Sequence, residues 1–347
     1  MPDLILIVNG KEYGGWKEVR VRRSLEAMTP TFDLLVSDRW AGQASPWQIR
    51  PGDACQVFLD GHIVATGYVD ESLPFFSATD HGIQVVGRGK TADLIDCSAV
   101  FGSGEWHNRK LAQIAVDLCK PFGIEVVVAA DQGAAFKQFA IQEGETVFES
   151  LERLARQRGV FYQENALGQL VVSTAGTTRI ETALIQGENV KEGSGTFSLR
   201  DRYSEYICKG QAVGFRWSTP EQNASPTGRA ADGNVSRYRP LIILGETPGD
   251  NAKLKDRAIW EAAVRMGRGA RPVLTVAPGW THQSGLWLPN QVVACQVPYM
   301  RLDRDMLIAS CTWIKDSGGS RTKIELVRPE AFDRIAIEEQ AEKSLWG

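Results

Sequence analysis

Several residues in this chain are of types that do chemistry, but their spacing assembles no reaction centre. Gly89-Lys90-Thr91 carries the ending of a phosphate-binding loop, yet that loop needs a glycine five residues before Gly89, where Gln84 stands. No long helix pattern follows it either, so the segment reads as a strand end and a short helical turn around Ala92–Ile95. The four histidines, His62, His81, His107 and His282, lie far apart and show no metal-ligand spacing. A serine nucleophile would call for a G-x-S-x-G elbow, and none occurs. Glycoside hydrolysis would need two opposed carboxylates, but with 42 acidic residues chance pairs are plentiful. Glu143, Glu145 and Glu149 stand at the start of a helix pattern, where negative charge favours the helix dipole. The six cysteines (55, 97, 119, 208, 295 and 311) contain no C-x-x-C pair and read as small buried hydrophobes in a reducing compartment. The expectation is a non-enzyme with no catalytic residue, no metal ligand and no cofactor.

Composition narrows the partners. The chain has 347 residues, enough for two to four domains of about 100–150 residues each. It is 43% hydrophobic and 23% charged, with a net charge of −3. A near-balanced charge argues against nucleic acid or an anionic membrane as the main partner, because both favour a basic surface. The apolar start, Leu4 to Val8, sits between Asp3 and Asn9-Gly10. A signal peptide needs a basic start and a longer apolar core, so a first β-strand is expected there, with synthesis in the cytoplasm and no export signal. No segment approaches the ~20 apolar residues of a membrane span.

The elements that would position any site fall into three blocks and a tail. Residues 1–97 read as β, with strands expected at Leu4–Val8, Trp16–Arg22, Thr31–Val36, Cys55–Leu59, His62–Tyr68 and Gly82–Gly87. Asn9-Gly10 and Asp60-Gly61 are tight hairpin signals. Residues 98–178 change character after a linker over Ser98 to His107. Leu111, Ile114, Ala115 and Leu118 mark one helix, ended by Pro121-Phe122-Gly123, and Ile124–Val128 reads as a strand. Residues 179–330 return to β, with strands expected at Gly195–Leu199, Tyr203–Gln211, Val273–Val276, Gln291–Val297, Leu307–Ile314 and Arg321–Leu326. An insertion spans about 216–270. It begins with a polar, Pro- and Gly-rich loop, Arg216 to Pro240, expected to be mobile, and continues into a helix over Asn251 to Gly267. Residues 331–347 form a charged tail ending in Leu345-Trp346-Gly347.

The centre of the chain is the stretch from Gln142 to Thr174. Val147, Leu151, Leu154 and Arg158 fall on one helix face, and Glu149–Arg153 and Glu152–Arg156 are i,i+4 pairs. Thr146 with Glu149 has the spacing of a capping box, and Gly159 is a C-terminal stop. A hairpin follows, Val160–Tyr162 and Leu170–Val172 around Asn165–Gly168.

That stretch, E-T-x-x-E-x-L-x-R-L-A-x-x-x-G-x-x-Y with its hairpin, resembles the baseplate hub proteins of contractile phages and the hub part of type VI secretion VgrG spikes. The resemblance extends through Gly87 to Ala99, Gly193 to Gln211 and Gly279 to Pro298, and points to Mu-like phages. It implies an α+β, β-rich fold: two tube-like β-barrel domains flanking a small α/β domain, with an inserted loop and helix. It further implies a homotrimeric ring in the virion's tail baseplate. Such a ring would meet a spike protein on one face and the tail tube or a tube-initiator protein on the other, with baseplate wedge proteins nearby and a central channel. Three protomers with two similar β domains each would match a three-fold spike to a six-fold tube. The flanking β blocks hint at duplication, although no residue-level repeat is visible.

The alternative is a peptidoglycan-binding or lytic cell-wall module of a tail. GETVFESLERLARQRGV resembles LysM modules, but Thr146 to Gly159 is about a helical turn too long for that pattern. The ten tryptophans are scattered, not grouped as a sugar-stacking platform, and most are expected in cores. Leu345 and Trp346 are the exception, and are the candidate contact with a neighbouring subunit or the spike.

Overall fold

The structure, a computed structural model, describes residues 3–36, 49–78, 81–210, 226–244 and 251–335. The first block holds β1 (Leu4–Val8), β2 (Lys11–Tyr13), β3 (Glu18–Ser24), β4 (Thr31–Val36), β5 (Ala54–Leu59), β6 (His62–Phe76) and β7 (His81–Gly89). Alternation produces these strands: Leu4, Leu6 and Val8 of β1 point inward while Ile5 and Ile7 are half-exposed. The two expected hairpin turns form. Asn9 and Gly10 (φ 49° and 78°), like Asp60 and Gly61 (48° and 78°), take the paired left-handed conformations of tight two-residue turns.

The second block holds α1 (Ala92–Asp96), β8 (Glu105–Arg109), α2 (Leu111–Cys119), β9 (Val126–Val128), β10 (Phe136–Ala140), α3 (Val147–Arg158), β11 (Phe161–Glu164) and β12 (Leu170–Ser173). Leu111, Ile114 and Leu118 of α2 and Val147, Leu151 and Leu154 of α3 share one core with Leu170 and Val172. Part of the expected linker is a strand: β8 pairs antiparallel with β10, placing Trp106 opposite Phe139 over that same core.

The third block holds β13 (Leu184–Ile185), β14 (Val190–Phe197), β15 (Glu205–Lys209), β16 (Thr227–Ala231), β17 (Pro240–Leu244) and α4 (Asn251–Arg268). It continues with β18 (Ala270–Val276), β19 (Thr281–His282), β20 (Gly285–Leu286), β21 (Val292–Val297), β22 (Leu302–Asp316) and β23 (Gly319–Val327). Of the loop expected to be mobile, residues 216–225 lie outside the described residues and residues 226–240 are described. β16 lies within it and pairs with β15, and α4 packs Leu254 and Ala258 on Tyr206 and Cys208.

The first and third blocks share one sheet, in the order β14-β18-β23-β22-β3-β4-β7-β6-β5-β1-β2, with β21 and β13 branching from β22. The joint is β22 against β3, antiparallel from Ser310 opposite Ser24 to Lys315 opposite Val19. One core runs through both blocks, from Leu4, Leu34 and Val85 to Leu274, Trp313 and Ile324. The α+β, β-rich class holds, while closure of either half into a barrel is not seen among the described residues.

The two halves repeat each other in strand order, with one difference: β13 runs parallel to β21 where β1 runs antiparallel to β5. The order β3-β4-β7-β6-β5-β1 recurs as β14-β18-β23-β22-β21-β13, with corresponding strands in the same chain order. β6 and β22 each run 15 residues, and each pairs across one bulge with a nine-residue neighbour, β7 or β23. When the bulges at Val69/Glu71 and Ile308/Ser310 are superposed, Leu34 falls on Leu274 and Val85 on Ile324, all fully buried.

Candidate functional site

Gly89-Lys90-Thr91, the phosphate-loop fragment, is occupied by a carboxylate of its own chain. Glu164, at the end of β11, is 2% exposed. Its Oε2 accepts from the Thr91 N–H at 2.8 Å and from the Thr91 hydroxyl at 2.6 Å. A Cβ on Gly89 would stand 2.2 Å from Glu164 Oε1, so only glycine admits the carboxyl here. Arg23 Nη2 donates to the Glu164 carbonyl at 2.6 Å. Burial pushes the Glu164 carboxyl from 4.5 up to about 7, against the opposing pull of the Thr91 bonds and of Arg23. Glu164 Oε1 has no hydrogen-bond partner, which is tolerable when the group keeps its proton. The arrangement pins the α/β unit to the sheet.

The expected capping box on α3 is present. Thr146 Oγ1 accepts from the Glu149 N–H at 3.2 Å, and Glu149 Oε2 accepts from the Thr146 N–H at 2.7 Å. Gly159 closes the helix at φ 66°. Because Glu149 is used in the cap, the expected Glu149–Arg153 pair does not form. Arg153 instead bonds Glu145 at 2.7 Å with little exposure on either side. Burial raises the Glu145 carboxyl, but bonds from Arg153, Ser150 and the Gln142 N–H outweigh it and leave the group below its ordinary value. Glu152 reaches Arg334 at 3.6 Å in place of Arg156.

The other singled-out residues divide plainly. Among the described residues no group of three His, Cys, Asp or Glu side chains could hold a metal ion. His107 lies 3.3 Å from Glu105, and His282 packs against Trp287 with the rings tilted by 53°. Five cysteines are buried; Cys97, expected with them, is exposed at the end of α1. Trp16, Trp106, Trp280, Trp287 and Trp313 are buried, and Trp260 donates to the Asp333 carbonyl at 2.8 Å. Trp40, Trp47, Trp217, Leu345 and Trp346 lie outside the described residues.

What the surface offers is free sheet edge with apolar side chains. The second half of β6 pairs with β7 on one side and with no described strand on the other. Leu73, Phe75 and Phe76 are exposed there, Phe76 to 91%. Among the described residues β14 pairs as a strand only with β18, with a single bridge from Val190 to Gln186, and exposes Phe197, with Leu199 just beyond it. Beside β14 lies an open cavity of about 570 Å³ lined by Gly193, Gly195, Phe197, Met300, Leu302 and Met306. An unpaired edge with exposed apolar side chains is a template for another strand. Sequence reading ended this strand at Tyr68 and missed the edge. The signal was Leu73-Pro74-Phe75-Phe76, four apolar residues in a row that break the two-residue period of a half-buried strand.

Comparison with known proteins finds relatives along most of the chain. Residues 3–89 match the family "Mu phage baseplate assembly protein GpP-like, N-terminal", and residues 91–174 match "Baseplate hub protein gp44-like, second domain". Residues 250–335 match "Mu phage baseplate assembly protein GpP, fourth domain". The chain is 36% identical over 337 residues to the baseplate hub protein gp44 of Escherichia phage Mu, spanning 94% of this chain and 88% of that protein. It belongs to the Mu-like baseplate hub family. Within that family, a 43 kDa tail protein of prophage MuSo2 from Shewanella oneidensis superposes with a TM-score of 0.85 at 38% identity, covering 96% of this chain and 100% of that one. At the level of fold alone, the hub chain is similar to the E. coli c3393 protein, a type VI secretion component, with a TM-score of 0.58 and 11% identity. That likeness covers 96% of this chain and 80% of the other.

Proposed function

We propose that this hub chain forms a homotrimeric ring in the virion's tail baseplate, joining the tail tube to the membrane-piercing spike around a central channel. It works by packing and geometry, without catalysis. The observation that carries the reading is the sheet: its uncovered edges bear apolar side chains, as a subunit built to continue into another subunit would. Permanent assemblies bury large apolar interfaces, and exposed Leu73, Phe75, Phe76 and Phe197 supply such surface. The repeated half-sheet supports the three-copy count, since two similar units per chain let three chains present six. Residues 1–97 and 179–330 are read as the tube-like domains, residues 98–178 as the α/β domain between them, and residues 331–347 as a tail. Leu345 and Trp346 are read as an anchor for a neighbouring copy or the spike; deleting Ser344–Gly347 should weaken assembly or spike binding in a pull-down.

Light scattering of the purified chain tests the reading. The expected mass is three times the 38.2 kDa chain, with three-fold rings and a central hole in negative-stain averages. A monomer at every soluble concentration overturns it.

A further inference from the structure

The repeat shows how one half-sheet continues into the next. Inside the chain, β22 pairs through its first half with β21 and through its second half, Ser310–Lys315, with β3. β6 is the counterpart of β22, and its first half likewise pairs with β5. Its second half has no such partner among the described residues. β14 is the counterpart of β3, and it lacks the strand that β3 receives from β22. One copy therefore ends in two edges related to each other as β22 is to β3.

We propose that the second half of β6 pairs antiparallel with β14 of a second copy of this chain. The proposal deepens the ring reading and rests on it, naming the seam between protomers. The internal junction also supplies the register. Superposed on the bulges, Thr312 opposite Arg22 becomes Leu73 opposite Thr196, and Ile314 opposite Arg20 becomes Phe75 opposite Ser194. Lys315 opposite Val19 becomes Phe76 opposite Gly193.

Two details fit this pairing. Residues opposite each other share a face of the sheet, so Phe76 falls on the face where Gly193 and Gly195 have no side chains. The cavity of about 570 Å³ lies on that face; Met300, Leu302 and Met306 line it together with Arg301, Arg304 and Arg328, and its room and methionine wall suit a phenyl ring that is otherwise 91% exposed. A contact between two different patches, repeated around an axis, gives a ring when its rotation closes. Around it, β22–β3 junctions within a chain alternate with β6–β14 seams between chains.

The test is a disulfide trap in the full chain carrying Cys97→Ser. Leu73→Cys combined with Thr196→Cys, mildly oxidised, should give dimer and trimer bands on a non-reducing gel. Leu73→Cys alone and the offset pair Leu73→Cys with Ser194→Cys should not, because diagonal neighbours sit too far apart for a disulfide. In parallel, Phe76→Glu should reduce the assembly to monomers that keep the native circular-dichroism spectrum. An assembly of three-chain mass in which the matched pair leaves only monomer bands overturns the seam and leaves the ring reading standing. Bands from Leu73→Cys alone mean that β6 meets β6, and overturn it too. A monomer at every concentration overturns ring and seam together.

Discussion

Glu164 ties a titrating group to the joint between the α/β unit and the sheet. Its folded carboxyl holds a proton up to about pH 7, whereas the ordinary value is 4.5. The folded state is therefore favoured most below pH 4.5, and that advantage is lost as the pH rises through about 7. At 1.36 kcal/mol per pKa unit the change is on the order of 3 kcal/mol. Glu164→Gln should flatten the slope of unfolding free energy between pH 5 and pH 8 in urea titrations. An unchanged slope would place the titration elsewhere. Cysteine reactivity is a second residue-scale outcome. Burial pushes Cys55, Cys119 and Cys295 up to about 12, while Cys97 is exposed. A native thiol titration should find one fast thiol of six, and the other five only after unfolding.

At the scale of elements, α3 is held by its ends and α4 by its seat. Thr146→Ala removes the cap acceptor and should cost about 1 kcal/mol in chemical denaturation. Gly228 of β16 lies beneath α4, where an added Cβ would stand 2.1 Å from the backbone of Leu254 and Lys255. Gly228→Ala should lift α4 at a cost of about 1–3 kcal/mol, seen as early proteolysis within α4. These elements were not equally legible in the sequence. The alternation of β1, β4 and β5 and the capping box of α3 are local patterns, and the residues alone revealed them. β14 was expected five residues late because Lys191–Gly195 shows no apolar alternation; pairing with β18 makes it a strand. β8 was missed because Trp106 is its only buried residue. The candidate seam was visible only as an odd apolar run at Leu73–Phe76. Its meaning required the repeat, which lies in the strand order and leaves the side chains free to differ.

For the whole molecule, the decisive feature is the single core shared by the first and third blocks. Val19 and Val21 are buried at 2% and 0% exposure, and the strand that covers β3 comes from β22. Residues 1–97 expressed alone, although most of them match a family model by themselves, should therefore lack a sharp thermal transition and should aggregate through the bare β3 edge. A cooperative melt of that fragment would show that the two halves are separately stable.

The β3–β22 junction also sets a timetable. A ribosome delivers Glu18–Ser24 well before it delivers Ser310–Lys315, at about 5–20 residues per second. For tens of seconds the nascent half-sheet presents at β3 an edge of the same kind as the one β14 offers in the finished chain. A neighbouring nascent chain's β6 is the obvious wrong guest. Polysomes crowded with this message are thus where premature pairing should arise, and slowing translation after β7 should increase the fraction of chains lost to it.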